Sequence, residues 1–165
     1  LVDASKASSG TVAVNWETID FAQMINQMNG EFQERFDAAG LKPVTTMENL
    51  PVPIRTDGRL LFRVLENLYN NVCKYAMTGT RVYIDLKETS HKAVFTMKNI
   101  SADPLNMEPD ELTERFIRGD VSRSTEGSGL GLSIAKSMTE QLKGTFEIYL
   151  EGDLFRVRLV FSLAE

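Results

Sequence analysis

The sequence predicts an α/β fold: a two-layer sandwich with a mixed, mainly antiparallel sheet of about five strands and three main helices on one face. Three segments place apolar residues at helical spacing, two pairs of alternating segments close on short polar turns, and the two patterns interleave along one chain of 165 residues. An apolar fraction of 42% with 25% charged residues is ordinary for one globular unit with its own core.

Residues 1–10, LVDASKASSG, are small and polar and read as the fraying end of a preceding element followed by a turn at Gly10. Val12 and Val14 alternate in TVAVN and predict a short strand. TIDFAQMINQMNGEFQERFDAAG then aligns Phe21, Met24, Ile25, Met28, Phe32 and Phe36 on one helical stripe that stops at Gly40. LKPVTTMENLPVPIRTD reads as two brief strands ending at Asp57, an N-cap for a second helix from about Gly58 to Met77. RVYIDLK and KAVFTMKN alternate through Val82, Ile84 and Leu86 and through Ala93, Phe95 and Met97, a hairpin across ETSH. From Ile100 to Ser128 the chain is polar and irregular apart from a helical piece around EPDELTERF, a length expected of a functional lid. A third helix begins near Gly129, carries Leu130, Ile134, Met138 and Leu142 on one stripe, and meets Gly144 at the expected C-cap. TFEIYLE and LFRVRLVFS close a second hairpin around Gly152 and Asp153.

A formal charge of -5 without a clustered basic face argues against a nucleic-acid partner. The single Cys73 forms no internal disulfide, and no Cys/His cluster has zinc-ligand spacing. No apolar run approaches the ~20 residues that cross a bilayer, so a soluble domain is expected.

Two constellations carry chemistry. On the second helix, Asn67, Asn71 and Lys74 stand at i, i+4 and i+7, one polar stripe beside the core side of Leu61, Val64, Leu65, Leu68 and Val72. It is either a pocket edge, where an Asn carbonyl and phosphate oxygens suit magnesium and Lys74 supplies a point charge, or a polar flank capping nearby backbone. The second is EGSGLGLSIAK, Glu126–Lys136, where Gly127, Gly129 and Gly131 precede a helix. It is either a phosphate cradle, with backbone N–H groups and the positive helix end aimed at an anion, or a glycine hinge. A dinucleotide fingerprint and a Walker loop both fail here: the glycines read GxGxG after a polar segment, and Leu132 and Ser133 follow Gly131.

Together these segments resemble a known family. NLYNNVCKYA is similar to the N-box, RFIRGDVSRS to the F-box region and EGSGLGLSIAK to the G2 box of the sensor histidine kinase catalytic domain, of the superfamily shared with gyrase, Hsp90 and MutL. The resemblance implies a Bergerat-type ATP-binding fold over 11–165, with 1–10 as the end of a dimerisation helix and linker. It implies that Asn71 holds magnesium, Lys74 contacts phosphate and Tyr75 packs against the nucleotide. Gly127, Ser128, Gly129, Leu130, Gly131 and Leu132 receive phosphate oxygens through the loop and its N–H groups. Arg118, after Phe116, reaches the γ-phosphate from the lid, with Arg123 as a second candidate. Asn67 stands where ATP-hydrolysing relatives place a glutamate, and a neutral amide is no general base, so transfer rather than hydrolysis is implied.

One departure concerns the adenine end. The family's Asp-x-Gly-x-Gly falls on NISAD, so Asn99 replaces the aspartate and Ser101 and Asp103 replace the glycines. Weak nucleotide affinity, or a lid that stays open without a partner, is expected. His91, the only histidine, lies in a hairpin turn without the helical context of a phosphoacceptor. The expected partners are therefore ATP with magnesium, a histidine-bearing dimerisation domain of the same protein and a response regulator, the fragment itself being monomeric. It is expected to be the cytoplasmic domain of a membrane-anchored parent. The alternative is a degenerate nucleotide-sensing or partner-binding module with little kinase activity.

Overall fold

The structure, a computed structural model, describes residues 13–48, 51–105 and 131–165. Strand β1 (Glu17–Asp20) leads directly into helix α1 (Phe21–Glu31). The hinge is Asp20, whose carboxylate accepts from the N–H of Ala22 at 3.0 Å and of Val52 at 2.9 Å, capping the helix and fastening it to the chain ahead of a later strand. The expected first helix is divided. Phe32 has φ -99 and ψ 3, ends α1 and starts α2 (Gln33–Ala38). Its ring is buried against Tyr69 and Phe36 at 5.2 and 6.3 Å, and weak helix formers at Asn29 and Gly30 precede the break.

Strands β2 (Lys42–Met47) and β3 (Pro53–Thr56) follow, then helix α3 (Gly58–Tyr75). As expected, Asp57 caps α3, its Oδ1 accepting from Arg59 and Leu60 at 3.0 and 3.2 Å. Its Oδ2 accepts from the Asn15 N–H at 2.9 Å. That tether occupies the segment where alternation predicted a strand: residues 13–16 form none, Val12 lies outside the described residues, and the strand is β1 instead. Hairpin β4 (Arg81–Thr89) and β5 (Lys92–Ile100) turns through Ser90 and His91 at φ 51 and 62. Helix α4 (Gly131–Gln141) and hairpin β6 (Thr145–Glu151), β7 (Leu154–Ser162) complete the described chain. The irregular segment with its helical piece at EPDELTERF lies outside the described residues.

The main sheet has the order β2-β4-β5-β7-β6, and a separate two-stranded ribbon joins β1 to β3. Only β2 with β4 is parallel; the other pairs are antiparallel, as a mixed, mainly antiparallel sheet requires. Alternation places Val82, Ile84, Leu86, Ala93, Phe95, Met97, Val157 and Leu159 in the core, at or near zero exposure. The helix layer closes on that face: Phe21 stacks on Phe95 at 5.8 Å and meets Phe161 edge-on at 5.7 Å, while Leu61, Val64, Leu65, Leu68 and Val72 of α3 are buried. No helix among the described residues is long and apolar enough to cross a membrane.

Candidate nucleotide site

Helix α3 does not run on to Met77. At Ala76 the backbone turns extended, with φ -72 and ψ 148, and the chain crosses to the end of β5. There the Met77 N–H donates to the Ile100 carbonyl at 2.7 Å, the Ala102 N–H donates to the Tyr75 carbonyl at 2.9 Å, and Ala76 pairs with Ser101. The exits of α3 and β5 are thus stitched into one wall, which brings Tyr75 beside the strand end that carries Asn99. Along the other flank α3 packs against α4, whose first residues are Gly131 and the buried Leu132. The two helices that carry the chemical constellations are therefore packed neighbours among the described residues.

The polar stripe of α3 sits at the rim of the core. Asn71 is 8% exposed, Asn67 and Tyr75 are half-buried and Lys74 is exposed. Asn99, on the core-facing side of β5 after Met97, is 4% exposed. Its Oδ1 is buried without a hydrogen-bond partner, and so is the Nδ2 of Asn67. Natural folds rarely leave such atoms unpaired, because an orphaned buried polar group costs ~1–3 kcal/mol. An unpaired acceptor on the strand wall suits the exocyclic amine of adenine, and an unpaired donor on the helix stripe suits an anion or its water. At Gly131 a Cβ would meet nothing within 4 Å among the described residues. The unpaired groups of Asn67 and Asn99 fit a nucleotide.

Arg118, Arg123, Gly127, Ser128, Gly129 and Leu130 lie outside the described residues. Ser101, one of the residues replacing the family's glycines, is 6% exposed, donates its N–H to the Asp153 carbonyl at 2.7 Å, and accepts at Oγ from the Asp103 N–H at 3.3 Å. The loop after β5 is thus shaped by a serine turn and a link to the β6–β7 turn. Cys73 is half-buried on α3, and burial pushes its thiol up, partly opposed by Arg35. A groove of about 510 Å³ on another part of the surface, bordered by Trp16, Arg55 and Lys143, holds none of the candidate residues.

The fold is a two-layer α/β sandwich with a mixed five-stranded sheet. Residues 56–163 match the histidine kinase-, DNA gyrase B- and HSP90-like ATPase family, and the chain belongs to that family. Sensor histidine kinase RppB of Synechocystis sp. is 28% identical, the match covering 96% of this chain and 36% of RppB. Sensor histidine kinase HprS of Escherichia coli K12 is 38% identical over 112 residues, 64% of this chain and 24% of HprS. The catalytic domain of histidine kinase ThkA has the same fold, with a TM-score of 0.75 at 19% identity, covering 90% of this chain and 95% of that one. The chain is an ATP-binding catalytic domain of the sensor histidine kinase type, and it spans about a third of RppB and a quarter of HprS.

Proposed function

We propose that this domain holds magnesium-ATP between α3 and α4 for in-line transfer of the γ-phosphoryl group to a histidine on a separate dimerisation domain of the same protein, and thence to a response regulator. The observation that supports the reading best is the packing of α3, which carries Asn67, Asn71 and Lys74, against α4, described from Gly131, together with the wall at the exits of α3 and β5 that bears an unpaired acceptor at Asn99. Asn71 offers a hard carbonyl oxygen for the metal, and Lys74 and Arg118 are assigned to phosphate charge. Tyr75 and Asn99 are assigned to the base, and Gly127, Ser128, Gly129, Leu130, Gly131 and Leu132 to phosphate oxygens. Bound magnesium neutralises charge on the transferring phosphoryl group, and the protein adds position and electrostatics. Asn67 supplies no base for hydrolysis. In this reading 1–10 is the end of a dimerisation helix and linker, 11–165 the catalytic domain, and the parent a membrane-anchored protein with this domain in the cytoplasm.

The domain and a phosphoacceptor helix pair supplied together with labelled ATP should give acid-labile label on the helix pair. Asn71→Asp should reduce that label at least tenfold, since catalytic positioning is sensitive to a displaced metal. The domain alone should retain no label, because His91 is an exposed turn residue. No label on the helix pair from the unaltered domain favours the second reading, a nucleotide-sensing or partner-binding module, and unchanged transfer by Asn71→Asp contradicts the metal assignment. Stable label on His91 contradicts the acceptor assignment.

A further inference from the structure

We propose that Asn99 makes the base end of this site tolerant of the purine 6-substituent, so that triphosphates of a 6-oxopurine, such as inosine triphosphate, bind about as well as ATP. The inference rests on the nucleotide-site reading above. Asn99 is held by its backbone but not by its side chain. In the sheet it lies opposite Phe155, and two residues on Ser101 is fixed by its bridge to Ala76 and its N–H bond to Asp153. The amide sits at 4% exposure with Oδ1 unpaired, and no hydrogen bond among the described residues holds either end.

An amide carries an acceptor and a donor side by side, and a half-turn about its last torsion exchanges them. Adenine presents a 6-amino donor beside the N1 acceptor, whereas a 6-oxopurine presents an O6 acceptor beside an N1–H donor. One orientation of Asn99 pairs with the first edge through two hydrogen bonds, and the turned orientation pairs with the second through two. A carboxylate in the same seat has acceptors only. It accepts from the adenine amine but meets O6 lone pair to lone pair, which is how a polar site rejects the wrong partner. The chain has replaced a discriminating group with one that fits both edges, in surroundings that lock neither orientation.

The test is equilibrium binding, by titration calorimetry with magnesium, of ATP and inosine triphosphate to the domain and to Asn99→Asp. The expected dissociation constants for the two nucleotides lie within about tenfold of each other in the domain as it stands. In Asn99→Asp the ratio should shift toward ATP by about tenfold or more, the scale of one lost buried hydrogen bond with an unpaired partner. A preference for ATP beyond tenfold in the unaltered domain overturns the proposal, as does a ratio that Asn99→Asp leaves unmoved. Binding of neither nucleotide to the unaltered domain overturns the nucleotide-site reading as well, whereas tight ATP with no inosine triphosphate overturns this proposal alone. Should Asn99→Asp fail to fold, as judged by its circular dichroism, the ratio in the unaltered domain decides.

Discussion

Tyr69 links α3 to two other elements through one hydroxyl. Its ring is fully buried against Phe32 and Phe36, and its OH donates to Asn29 Oδ1 at 2.6 Å while Asn29 Nδ2 donates to Thr45 Oγ1 at 3.0 Å. Burial raises the phenol well above the ordinary tyrosine value, because a phenolate would lie among apolar rings. A raised folded-state value means that the unfolded chain gives up this proton first. The linked stability is therefore complete below about pH 10 and is lost as pH rises beyond it. Tyr69→Phe should cost about 1 kcal/mol at neutral pH by orphaning Asn29, yet lose less stability than the parent between about pH 9 and pH 11. Urea midpoints of both proteins at the two pH values check this, and parallel alkaline losses would rule it out. Helical spacing placed Leu65, Leu68 and Val72 in the core correctly, but it could not show that Tyr69 or Asn71 is buried beside them. A polar tip is buried only if a partner waits in another element, and Asn29 stands 40 residues away.

At the level of elements, the end of α4 shows what a sequence signal can locate and what it cannot explain. Gly144 was expected at the position a helix C-cap favours. The left-handed residue is Lys143, at φ 64, and the helix closes with the Lys143 N–H on the Glu140 carbonyl and the Gly144 N–H on the Thr139 carbonyl at 3.0 and 2.9 Å, a Schellman pair. Glycine is needed one position later for a different reason: a Cβ on Gly144 would lie 2.4 Å from Cε1 of Phe161. That ring is 3% exposed and held edge-on by Phe21, so it cannot step aside. Gly144→Ala should therefore lower stability by about 1–3 kcal/mol with little effect on nucleotide affinity, because the clash lies at the far end of α4 from Gly131. A urea midpoint equal to the parent's would show that the core yields there. The hairpins β4–β5 and β6–β7 were legible because local alternation and a short turn specify them. The parallel pairing of β2 with β4 was not, since it is made across the intervening β3 and α3 by register alone.

The whole domain reports on its own ligand, because anything that binds only the folded state stabilises it by mass action. The candidate stripe on α3 was legible because its spacing is helical, whereas Arg118, Gly127, Ser128, Gly129 and Leu130 lie outside the described residues. The wall between Tyr75 and Asn99 was not legible, since it depends on Ala76 leaving the helix to pair with Ser101. That wall sets the expected affinity. Asn99 brings no charge to the base, and Ser101 is committed to Asp103 and Asp153, so the loop has little freedom to close over adenine. Binding should be weak, with a dissociation constant above the micromolar range. At a nucleotide concentration about tenfold above such a constant the gain is about 1.4 kcal/mol. For a domain of this size that corresponds to a rise in Tm of about 3–6 °C, whereas a thousandfold excess would add about 4.1 kcal/mol and more than 8 °C. Thermal melts at millimolar ATP with magnesium distinguish the two, and removal of the metal with a chelator should erase most of the rise if Asn71 holds it. A rise above 8 °C would mean that the glycine-free loop closes well, and that serine and aspartate serve at the adenine end as effectively as the glycines they replace.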